Sequence, residues 1–138
     1  KFLYFKFSRI TKVLGYKMSE VTKEVTIDDM YESTVQYFDA FTACDLEVLE
    51  ELYADSIYLR DWEGTYVGKV DVLHANSALF NNVKAIVCRI GALHCDEDSL
   101  TVVAEIEIMI ADAEPFLVAD IIEFNTCGEI KAIRAYKG

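Results

Sequence analysis

Tyr37, Asp61 and Asp120 are the residues of this chain whose types and settings suit proton chemistry. Asp120 is the most informative. It lies in Phe116-Leu117-Val118-Ala119-Asp120-Ile121-Ile122-Glu123-Phe124, a run that otherwise reads as buried sheet. Strand side chains alternate between faces, so Asp120 shares a face with Val118, Ile122 and Phe124. An ionised carboxylate among such neighbours is costly to desolvate. It is therefore paired, held protonated, or set against a cavity. The plain alternative is a structural aspartate bonded to a neighbouring tyrosine or to backbone donors. Asp61, at the end of a strand-like run, reads equally as a base and as a turn aspartate that caps nearby backbone groups. Tyr37 reads equally as a phenol offered to a ligand and as a core residue with a satisfied hydroxyl.

These three residues fall on different elements. Thr26-Ile27-Asp28-Asp29 has the form of a helix start, with a hydroxyl cap followed by acids in the first turn. Met30, Thr34, Tyr37 and Phe41 recur at helical spacing, so the first helix runs to about Ala43. Asp45 caps a second helix from Leu46 to Tyr53. Ser56 to Trp62 reads as a short strand, and Gly64 and Gly68 mark a turn. A third helix spans about Val70 to Phe80. Four strands follow, at about Lys84–Cys95, Leu100–Ile110, Phe116–Asn125 and Glu129–Tyr136. Helices first and an antiparallel meander afterwards is α+β segregation. Three helices on one face of a curved sheet leave a concave interior, into which Asp120 points.

The composition suits one globular domain. The chain has 138 residues, 53% of them hydrophobic and 12% aromatic, enough for a substantial core. The formal net charge is −11, which argues against nucleic acid as a partner. No apolar run approaches the roughly 20 residues of a membrane helix. The charge is uneven. Residues 1–17 hold Lys1, Lys6, Arg9, Lys12 and Lys17 and no acid. They read as a basic, aromatic leader of vector-derived or upstream-translated origin, with Met18-Ser19-Glu20 as an ordinary protein start and 18–138 as the domain. Cys44, Cys88, Cys95 and Cys127 show no metal-ligand spacing. They are expected to be buried reduced thiols of a cytoplasmic protein. His74 and His94 are expected to be structural, and Glu105 and Glu107 to share a solvated or interface face. No metal and no cofactor is expected.

Three stretches carry a family resemblance. Val35-Gln36-Tyr37-Phe38-Asp39-Ala40-Phe41 with Asp45-Leu46 resembles the first helix of the nuclear transport factor 2-like superfamily and its exit. Leu52-Tyr53-Ala54-Asp55-Ser56 through Asp61 resembles the next segment. Asp120 to Phe124, with Gly128-Glu129-Ile130 and Arg134-Ala135, resembles the last two strands. The likeness runs from about Asp28 to Tyr136 and is nearest the SnoaL-like cyclase and ketosteroid isomerase branches. It implies a cone-shaped, cystatin-like α+β fold with three N-terminal helices on a curved, mostly antiparallel sheet, and a homodimer.

The resemblance also implies roles. Tyr37 falls at the tyrosine that donates to the substrate oxyanion, Asp61 at the general base, and Asp120 at the acid held neutral to give the second hydrogen bond. One acid ionised and one neutral is how such isomerases work at neutral pH. Trp62, Phe41, Val118 and Ile122 are the expected substrate pocket. Trp62 stands where the isomerases commonly have proline, and the loop to Gly68 is shorter. Both departures favour a carbonyl compound smaller than a steroid. The expected activity is cofactor-free acid–base chemistry of the isomerase, cyclase or dehydratase type on a small apolar carbonyl or polyketide-like compound in an internal cavity. A binding module without catalysis is the second reading. Epoxide opening, as in limonene epoxide hydrolase, is disfavoured: Glu105, Glu107 and Ala135 stand at the matching places and its arginine and second aspartate are missing.

Overall fold

The computed structural model describes residues 24–138, and the leader at 1–17 lies outside the described residues. Helix α1 (Ile27–Thr42) begins at a capping box. The Thr26 hydroxyl accepts from Asp29 N at 3.2 Å, and Thr26 N donates back to the Asp29 carboxylate at 3.0 Å. Two orphan donors of the first turn are thereby satisfied. Met30, Thr34, Tyr37 and Phe38 turn to the core and are buried. Cys44, at φ 52°, reverses the chain. Asp45 then caps α2 (Leu46–Leu52), accepting from Val48 N at 3.1 Å.

Strand β1 (Tyr53–Arg60) starts without a break from α2, three residues earlier than the sequence pattern suggests. Tyr53 N–H still closes the last helical turn onto Leu49 O, while its Cα already pairs with Ile130. One residue thus serves both elements, which a periodicity reading cannot resolve. The glycine-marked turn contains a short strand, β2 (Thr65–Val67), paired antiparallel to β1. Three residues are too few for alternation to appear in the sequence. Gly68, at φ 90°, begins α3 (Lys69–Asn82) in a conformation that favours glycine.

The meander β3 (Ile86–Asp96), β4 (Thr101–Ile110), β5 (Phe116–Phe124) and β6 (Ile130–Lys137) follows. The sheet order is β2-β1-β6-β5-β4-β3, antiparallel except where β1 and β6 run parallel. Register breaks at Ile90/Ala92, Glu123/Phe124 and Tyr53/Tyr58 bend it. The three helices cover its inner face. Tyr53, Phe38, Phe124, Met30, Leu49 and Ile57 are the largest fully buried side chains, each contributing about 1.5–3 kcal/mol by leaving water.

The cysteines depart from expectation. All four are free thiols, but Cys44 and Cys127 are exposed and Cys88 and Cys95 half-buried. The first two occupy turns, where the backbone must stay near water. No helix among the described residues is long and apolar enough to cross a membrane.

Thr26→Ala removes one side of the capping box and should lower the unfolding free energy by about 1 kcal/mol. Urea denaturation followed by circular dichroism measures this, and an unchanged midpoint would show that the cap contributes nothing.

Candidate functional site

Register decides what surrounds Asp120. On β5 it lies directly opposite Ala104 of β4 and Ala135 of β6. The small Ala135 leaves space beside the carboxyl, and a cavity of about 520 Å³ lined by both residues opens there between the sheet, α1 and α3. Asp120 is 5% exposed. Its Oδ1 finds no hydrogen-bond partner among the described residues. Such an atom is costly to bury unpaired. Burial, and after it the charge of Asp61, pushes the carboxyl up to about 7.

Tyr37 and Asp61 line the same cavity, as do Trp62, Phe41 and Val118. Ile122 does not. It faces the same way as Asp120 and Val118 but is fully buried in the core beyond the cavity. Alternation sorts residues by face, and only the packing of helices on that face separates cavity from core. Tyr37 is buried, with its ring 5.3 Å from that of Phe41. Burial raises its phenol well above the ordinary value, and Tyr53, Asp120, Cys88 and Asp61 add to the effect. The hydroxyl therefore stays protonated and able to donate.

Behind Tyr37 stands Tyr53, its ring 6.4 Å away. Tyr53 donates its hydroxyl to Asn76 Oδ1 at 2.7 Å. Burial and then Asp120 raise the Tyr53 phenol, and the neighbouring Tyr37 hydroxyl pulls it partly back. Asn76, 3% exposed on α3, was missed in the sequence. A polar residue one turn after Val72 and one before Leu79 breaks an apolar stripe, and that was the available signal.

Asp61 is tied into its turn. Its Oδ1 accepts from Glu63 N at 2.8 Å and Gly64 N at 3.0 Å. These bonds match the turn-capping reading of Asp61, and its side chain also lines the cavity. Trp62 sits at the rim, 44% exposed, edge-on to Phe116 at 5.9 Å. Cys88 also lines the cavity, where burial, followed by Asp120 and Cys44, pushes its thiol up to about 12.

The remaining candidates lie elsewhere. Glu105 pairs with His94 at 2.7 Å and Glu107 with Arg89 at 3.3 Å on the outer face of the sheet. A shallow groove of about 650 Å³ on that face contains none of Tyr37, Asp61 and Asp120. His74 borders a surface hollow next to Tyr66 and Asp71. No group of three or more His, Cys, Asp or Glu among the described residues could hold a metal ion.

Comparison with known proteins returns one family. The model of the SnoaL-like domain matches residues 34–133. No curated protein is significantly similar. Solved structures share the fold at low identity. A protein of unknown function with a cystatin-like fold from Methylobium petroleophilum PM1 is 16% identical, with 84% of this chain and 80% of that chain covered and a TM-score of 0.76. A SnoaL-like protein of unknown function from Burkholderia thailandensis is 17% identical, covering 84% and 99%, with a TM-score of 0.69. SalBIII, an epoxide hydrolase/cyclase-like enzyme in pyran ring formation in the polyether salinomycin, is 13% identical, covering 80% and 92%, with a TM-score of 0.70.

The raised carboxyl of Asp120 links stability to pH. Its folded value of about 7 lies above the ordinary 3.8, so the folded state binds the proton more tightly. The stabilisation is complete below pH 3.8 and is lost as pH rises to about 7, by roughly 4 kcal/mol at 1.36 kcal/mol per unit. Asp120→Asn should remove this slope. Urea denaturation of both proteins from pH 4 to 8 measures it, and parallel profiles would refute the assignment.

Proposed function

This chain belongs to the SnoaL-like domain family, and we propose that it is a cofactor-free acid–base enzyme acting on a small apolar carbonyl or polyketide-like compound. The observation that carries the reading is Asp120: a buried acid with an unpartnered oxygen on the cavity that Tyr37 and Asp61 also line.

A carbonyl oxygen placed by Asp120 and Tyr37 meets two donors. Below about pH 7 the Asp120 carboxyl holds its proton, and a guest that excludes water favours the neutral form further. A phenol proton turns about the C–O bond, so the Tyr37 hydrogen can be aimed at a guest in the cavity that Tyr37 lines. Asp61 then takes a proton from the carbon next to the carbonyl. The C–H electron pair moves into a new C=C bond, and the carbonyl π pair moves onto oxygen, where the two donors stabilise it. Return of the proton to another carbon completes an isomerisation. Attack of the enolate on a second carbonyl completes a cyclisation, and loss of a β-hydroxyl completes a dehydration. All three share the first step.

The turn bonds of Asp61 support a second reading, a binding module without catalysis. An aspartate whose Oδ1 accepts two backbone N–H groups is held in its turn and is less free to reach a guest's C–H. The fold does not decide between the two.

The shared first step is measurable without the natural substrate. Exchange of the α-protons of 2-tetralone in D2O, followed by NMR, should be accelerated by the protein. Asp120→Ala should slow it by roughly 100-fold or more, the scale of losing one oxyanion donor, and Asp61→Asn should abolish it. Binding of 2-tetralone without any acceleration would sink the enzymatic reading and leave the binding module. Asp120→Asn keeps a donor that does not titrate. Its rate should hold above pH 7, where the wild-type rate falls as Asp120 ionises; a wild-type rate flat through pH 9 would exclude Asp120 as the donor.

A further inference from the structure

We propose that Lys137 recognises an anionic group on the guest, which makes the favoured ligand an apolar carbonyl compound with a carboxylate at the end opposite the carbonyl. The inference rests on the carbonyl being held at Tyr37 and Asp120.

The strand ladder sets the geometry. On β6, Ile133, Ala135 and Lys137 all line the cavity, and their burial falls in that order. Ala135 lies opposite Asp120, and Lys137 lies opposite Val118. Lys137 is thus two residues nearer the rim than Asp120, about 7 Å along the strand. Its own stem adds reach beyond that. The end of β6 is held: Gly138 N donates to Leu117 O at 2.8 Å.

The ammonium is positioned but not neutralised. Lys137 Nζ lies 4.6 Å from the Phe116 ring centre and 5.7 Å from that of Trp62. These rings form the edge-on pair at the rim. The contacts hold the cation against an aromatic wall without cancelling its charge. Lys137 makes no ion pair among the described residues, whereas Lys69, Lys84, Arg89 and Arg134 each do. The rim carboxylates do not take it: Asp61 is engaged in its turn, and Glu63 forms no bridge to Lys137. A guest seated against Trp62 and Phe116 displaces water from the ammonium, which strengthens a pair made there. Asp61 and Glu63 oppose any acid at the rim. The effect of Lys137 therefore appears as a preference for acid over ester, and not as high affinity.

The test uses 6-hydroxy-2-naphthoic acid and its methyl ester. The phenol stands in for an enol at the Asp120 end, and the carboxyl lies across the ring system from it. Fluorescence titrations at pH 6 give both dissociation constants for the full chain. The ratio of ester to acid constants should fall roughly fivefold in Lys137→Met, with the ester constant unchanged. Lys137→Arg should restore the ratio, and 0.5 M salt should reduce it in the wild type. An unchanged ratio in Lys137→Met, or equal weakening of both compounds, overturns the inference and leaves the cavity reading intact. Failure of both compounds to bind the wild type overturns the two together.

Discussion

A carboxyl group that must live among Val118, Ile122 and Phe124 is the constraint on which this structure turns. Burial of that group costs free energy unless the charge is removed or matched. The described residues supply no cation beside it, and Oδ1 has no partner. The remaining solution is to hold the proton, and burial pushes the carboxyl in that direction, up to about 7. In its neutral form the group carries a proton that faces the cavity it lines.

The fold arranges a gradient around this group. At the deep end stand Asp120, Tyr37 and the Tyr53–Asn76 bond, all shielded from water. At the rim stand Trp62, Glu63 and Lys137, which remain hydrated. Asp61 lies between, fastened to the Glu63–Gly64 backbone. Burial raises the Asp120 carboxyl and the Tyr37 phenol, which favours their neutral forms. Ala135, on the cavity wall opposite Asp120 in the register, provides room. A larger side chain at that position would fill the space and join the cavity to the core that already contains Ile122.

Much of the architecture was legible in the chain. The Thr26–Asp29 box, the spacing of Met30, Thr34, Tyr37 and Phe41, and the alternation through Phe116–Phe124 each state a local preference that tertiary packing did not override. What escaped was short or shared between elements. Three residues at Thr65–Val67 become a strand only by pairing with β1. Tyr53 ends a helix and starts a strand at once. Asn76 interrupts an apolar stripe by a single residue, a weak signal in a helix with several polar positions.

The sequence by itself determined the face on which each candidate residue stands, because side-chain direction follows from the period of the backbone. It thereby placed Asp120 among apolar neighbours and implied its cost. Only the tertiary structure decided that Val118 borders a cavity while Ile122 lies in solid core, that Asp61 caps its turn and also lines the cavity, and that Lys137 rests on Trp62 and Phe116. Those outcomes depend on which strands neighbour one another, in what register, and on where the helices stop covering the sheet. Such contacts join residues far apart in the chain, and no local pattern encodes them.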